Sequence, residues 1–183
     1  MFNKRLSNEE LALLQSVVGS KFISYERGAG KVQFSRTYGN IRLNFSNLSI
    51  ELENLESATL YCGEADNMSG FSCYSCSSGE EFKPYIKEAT LVTEISETVA
   101  GVEVAEDTIR IDNDEREISF SSAIIIRTQM NEYMFYRTYQ YNENIFICNS
   151  NNYDLVYPIC NVIDDWSNDR DNQVSVERNI RAL

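Results

Sequence analysis

The chain has 183 residues, 43% hydrophobic and 11% aromatic, with a formal net charge of −12 and no histidine. That composition supports one folded domain of good size and excludes global disorder. The missing histidine excludes Ser-His-Asp and Cys-His catalysis and any His-containing zinc site. The acidic balance repels nucleic-acid phosphates and anionic lipid, and favours basic protein partners or cations.

The basic start, Met1 to Arg5, runs into polar Ser7-Asn-Glu-Glu10 where a signal peptide needs an apolar stretch. No apolar run approaches the ~20 residues of a membrane span. The expectation is a cytoplasmic protein with no membrane contact, its five cysteines reduced and outside any fully paired disulfide framework.

Ser7 and Glu10 form a capping-box pattern, and Leu11, Leu14, Val17 and Val18 follow on one helical face. A short amphipathic helix is expected over 8–18, stopped at Gly19. The period then changes to two. Strands are expected at 21–27 and 31–38, joined as a hairpin around Gly28-Ala-Gly30. Another pair is expected at 41–45 and 48–52, where Ile41, Leu43 and Phe45 share one face with Leu48, Ile50 and Leu52, and Glu51 and Glu53 point outward.

Residues 62–81 are rich in Gly, Ser and Asn and read as a long loop. Strands resume at 89–95, 101–105, 108–112 and 117–120. A central hairpin over 122–141 turns at Met130-Asn131, and further strands are expected at 144–148 and 155–159. That turn pairs Thr128 with Tyr133, Ile126 with Phe135, Ile124 with Arg137, Arg127 with Met134 and Ile125 with Tyr136. It places Arg127 and Arg137 on opposite faces.

The fold class expected is mainly β: an antiparallel sandwich or strongly twisted sheet with one short N-terminal helix. Residues 1–166 make a single β-rich domain, and 167–183 a weakly ordered tail. The segment 41–52 echoes 109–120 without gaps, which allows two similar β-units at about 20–88 and 89–160.

Cys73-Tyr-Ser-Cys76, with Cys62 upstream, has the spacing of half a zinc site but no second close cysteine pair. No cofactor motif is present. Tyr133, Tyr136, Tyr139, Arg127 and Arg137 make the best recognition ladder, because Tyr and Arg join contact area to polar handles. Trp166, beside Asp164 and Asp165, is a second candidate anchor for a basic partner. The function expected is a non-catalytic, acidic inhibitor that occludes a basic protein, as immunity and anti-defence proteins of bacteria and phages do. A sponge for a small nucleotide signal and a carboxylate- or metal-dependent hydrolase are the alternatives.

Overall fold

The structure is a computed structural model that describes residues 2–28, 36–55, 70–77, 79–85, 90–112, 116–137, 144–150, 152–167 and 173–183. It is mainly β, a largely antiparallel sheet with three short helices. β1 (Phe2–Lys4) precedes α1 (Asn8–Gln15), then come β2 (Lys21–Gly28), β3 (Arg36–Tyr38), β4 (Asn40–Phe45), β5 (Ser49–Leu55) and β6 (Gly70–Cys76). The long strands β7 (Thr90–Ile111) and β8 (Arg116–Thr128) follow, then β9 (Glu132–Tyr136) and β10 (Asn144–Cys148). Helices α2 (Tyr153–Val156) and α3 (Ile159–Ser167) lead to β11 (Val174–Ala182). The strand order is β3-β10-β9-β8-β7-β2-β4-β5-β6, with β1 joined to β8 in parallel and β11 joined to β7.

The sheet curls on itself. β2 and β9 are separated by two strands, yet Phe22 meets Tyr133 edge-on at 5.5 Å and Tyr25 meets Phe135 at 5.9 Å. The concave face holds Phe22, Ile41, Leu43, Ile50, Leu52, Val102, Ile124, Ile126 and Phe135. Helix α1 closes this core with Leu11 and Leu14, and Val17 in the turn after it adds to the cover. Its capping box forms as the sequence implies: Ser7 N–H donates to Glu10 at 2.7 Å and Glu10 N–H to Ser7 Oγ at 3.2 Å. The other oxygen of Glu10 accepts from Cys73 N–H at 2.9 Å, tying the helix to β6.

A second core lies on the opposite face of β7, β8 and β9, under α2 and α3, with Ile109, Ile118, Phe120, Ile125, Met134, Tyr153, Tyr157 and Val162. An extra residue in β8, Ser122, lets Phe120 and Ala123 share that face. The bulge leaves no stray carbonyl, because Ser122 O accepts from Arg137 N–H at 3.1 Å. Strands buried on both faces explain the near-continuous apolar run through Ile124, Ile125 and Ile126.

Several sequence expectations are corrected. The hairpin closes over Thr128–Asn131, with Thr128 Oγ1 accepting from Asn131 N–H at 2.9 Å. Pairing is therefore offset by two residues: Ile126 faces Tyr133, Ile124 faces Phe135 and Arg127 faces Glu132. An offset of two preserves the faces. Within the long loop read over 62–81, residues 70–76 form β6; 62–69 lie outside the described residues. The separate strands read over 89–112 give way to one strand, Thr90–Ile111, in which Glu106 and Asp107, which resemble a turn, are buried. Residues 36–38 pair with β10 rather than with 21–27.

The strand expected at 155–159 is instead the end of α2, the link Tyr157-Pro158 and the start of α3. Asn152 caps α2, its side chain accepting from Leu155 N–H at 3.3 Å, and Pro158 precedes α3, where its missing N–H costs nothing. The segment read as a weakly ordered tail contains β11, nine residues in register with β7. It is fastened by Arg178, which donates to both oxygens of Asp107 at 2.7 and 2.8 Å. The echoing segments 41–52 and 109–120 both form hairpins. Their registers do not correspond, since Ile41 faces Leu52 but Ile109 faces Ile118.

Candidate functional site

The structure distributes Tyr133, Tyr136 and Arg137 of the aromatic ladder between the two cores. Tyr133 is buried in the first core. Tyr136 is half-buried, stacked on Phe146 at 5.3 Å and packed against Tyr153 and Tyr157. Arg137 is buried, with its guanidinium 5.0 Å from the Phe120 ring centroid. Arg127 reaches the surface but is held by Glu103 at 2.9 Å and Glu132 at 3.6 Å. Tyr139 lies outside the described residues. Trp166 is half-buried against the second core; Asp164 is exposed on the same helix, and Asp165 belongs to it as well, its side chain undescribed. A surface patch built from Tyr133, Tyr136 and Arg137 is thus corrected by their burial in a sheet covered on both faces.

Cys73 and Cys76 are three positions apart on one strand, so they point to opposite faces. Cys73 lies in the first core, where burial and then Glu10 push its thiol up to about 12. Cys76 opens outward. The pair does not converge on one metal, and Cys62 lies outside the described residues. Among the described residues no group of three or more Cys, Asp or Glu is placed to hold a metal ion, and no helix is long and apolar enough to cross a membrane.

Elsewhere, the convex face of β4, β5 and β6 builds a cleft of about 420 Å³. Alternation along the strands brings Asn40 and Arg42, Glu51 and Glu53, and Tyr74 and Cys76 to one face. The segment 79–85 crosses over them. Arg42 donates to Glu80 O at 2.6 Å and stacks 5.2 Å from the buried Phe82 ring. Asn40 donates to Lys83 O at 3.1 Å and accepts from Tyr85 N–H at 3.1 Å. Gly39 permits this crossing: its φ is +77°, and a Cβ there would lie 2.8 Å from the Tyr85 ring.

Glu51 is the floor. It points outward from the sheet as the alternation predicts, but the crossing segment buries it. Asn40 donates to one oxygen at 2.6 Å, and Arg42 to the other at 3.3 Å. Glu53 is half-buried at the rim, accepting from the Tyr74 hydroxyl at 2.8 Å. Tyr74 and Tyr85 are 42% and 47% exposed, the only exposed aromatics among the side chains described, and both line this cleft. The lining carries four carboxylates, Glu51, Glu53, Glu80 and Glu81, against two cations, Arg42 and Lys83.

Burial, then the neighbouring Glu53 and Glu51, raise both tyrosine pKa values, so the hydroxyls stay neutral donors. The Cys76 thiol is also raised, chiefly by burial and against the pull of Arg42. The cleft thus presents two neutral rings and an excess of negative charge, which suits a cation.

Sequence reading missed this site because its residues come from four separate segments. Glu51 and Glu53 looked like ordinary solvated positions, and Tyr74 lay in what read as a loop. The available signal was Gly39, next to Asn40 at the start of β4.

The chain matches no family model, no curated protein and no solved structure.

Proposed function

We propose that this is a non-catalytic, acidic binding protein that occludes a basic partner and seats one cationic side chain of that partner between Tyr74 and Tyr85, against Glu53. The observation that carries the reading is the convergence of the exposed tyrosines on one carboxylate-lined cleft. A cation over an exposed ring gains about 0.5–1 kcal/mol. The cleft therefore anchors and orients, while the net charge of −12 steers the encounter. Inhibition of the partner follows from coverage of its basic surface. The raised pKa values of Tyr74, Tyr85 and Cys76 support a recognition role, because none of these groups is tuned to ionise near neutrality.

The reading is tested by calorimetric titration with an arginine-bearing peptide and its citrulline counterpart, identical in shape but uncharged. Binding of the first and at least tenfold weaker binding of the second, about 1.4 kcal/mol, is expected. Equal binding, or none, overturns it.

A further inference from the structure

We infer that the open edge of β11 pairs antiparallel with the same edge of a second copy of this chain, in a two-fold register centred on Asn179. The strand runs nine residues in unbroken register with β7, and among the described residues nothing pairs with its other edge. Leu183 N–H donates to Val102 O, and Gln173 O accepts from Asp112 N–H. Odd-numbered backbone groups therefore face β7, and those of 174, 176, 178, 180 and 182 face the open edge.

Edges of this length are ordinarily blunted by proline, lysine, a bulge or an inward-pointing charge. Val-Ser-Val-Glu-Arg-Asn-Ile-Arg-Ala has no proline or lysine, and its register shows no bulge. Its one inward charge, Arg178, is neutralised by the two-pronged contact with Asp107.

The charge pattern of the strand selects a second copy as the occupant. Centring the pair on Asn179 places Glu177 opposite Arg181 of the partner subunit, and Arg181 opposite Glu177 of the partner subunit. Both fall at non-hydrogen-bonded positions, where opposed side chains approach most closely. Arg178 and Ile180 fall opposite each other at hydrogen-bonded positions, so pairing also covers Ile180, which is 41% exposed. Centring one residue earlier sets Glu177 against Asn179, and one residue later sets Arg181 against Asn179. Neither alternative makes an ion pair. The overall charge of −12 opposes association; at this edge Glu177 and Arg181 offset it locally. Glu177 is 69% exposed at its side chain even while bonded to Arg110, so it remains open to a second cation.

The test is sedimentation equilibrium on the full chain and three variants, each first shown by circular dichroism and thermal melting to keep the fold. The wild type is expected to form a dimer. R181E and E177R each oppose like charges twice per dimer and should weaken self-association about tenfold or more. The double swap E177R/R181E should restore it, and an equimolar mixture of the two single variants should form a heterodimer. A wild type that stays monomeric overturns the inference, as do single variants that associate as tightly as the wild type. A double swap or a mixture that fails to recover association overturns the register.

Discussion

Two buried arginine–carboxylate pairs in this molecule share their chemistry and differ in what surrounds them. Arg178 grips Asp107 with both ends of its guanidinium, lies 4.0 Å from the Tyr153 ring centroid, and donates also to Tyr157 O and Asp154. Asp107 is fully buried and the Arg178 side chain is 3% exposed, so that pair is sealed. Arg42 and Glu51 also pair over an aromatic ring, with side chains 7% and 9% exposed. Above them, however, lies a cleft with two exposed tyrosines and a second glutamate. The sealed pair fastens β11 to β7; the other serves as the floor of a site. Only the second pair has groups with spare capacity standing over it.

Breaking the sealed pair should have the largest effect. Asp107→Ala leaves Arg178 with only the exposed Asp154 as counter-ion, and removing one partner of a buried pair costs about 3–5 kcal/mol. Urea unfolding should show a lower midpoint whose shift, multiplied by an unchanged denaturant slope, gives that loss. Glu51→Gln should cost less, about 1–3 kcal/mol, because Asn40 can still donate to the amide oxygen and the cleft admits water. The contrast sharpens if both are measured together: equal losses would mean that the Arg42 pair is sealed as well.

Alkaline pH acts on both regions in the same direction. Burial, then Asp107, raises the pKa of Tyr153 in the folded state, against the pull of Arg178. A group whose folded pKa is raised binds its proton more tightly when folded. Its contribution to stability is complete below the unfolded tyrosine value of about 10 and is lost as pH rises through the folded value. Tyr74 behaves the same way at the cleft. The urea midpoint should hold steady up to about pH 10, as far as these tyrosines govern it, and fall above that. Tyrosinate absorbance from Tyr153 should appear only with unfolding.

The smallest effect on stability belongs to the rim. Glu53→Gln should change it by about 0.5 kcal/mol or less, because the residue is half-exposed and the amide can still accept from Tyr74. Its effect should fall on cation binding.

Local chemistry was the most legible part of the chain. Ser7 and Glu10 define their cap within one turn, and Ile41, Leu43, Ile50 and Leu52 reach the core that their alternation demands. The aromatic hairpin was rightly read as central, since β8 and β9 lie between β7 and β10. The same centrality removes Tyr133 and Arg137 from the surface. β11 was hidden because its docking rests on Asp107, some seventy residues earlier, being buried as the counter-ion of Arg178. The candidate site was least legible. Nothing near Glu51 indicates that Phe82 and Tyr85 will cross above it, and period-two patterning assigns a face without saying whether another segment covers it.

The central claim is that the cleft, rather than net charge alone, takes the cation. Titration of one arginine-bearing peptide into the wild type, Glu53→Gln and Glu94→Gln tests it most directly. The two variants remove the same charge, one from the cleft and one from the exposed part of β7. Affinity is expected to be at least about tenfold weaker for Glu53→Gln and nearly unchanged for Glu94→Gln. Equal, small losses in both would contradict it and leave only a diffuse acidic surface.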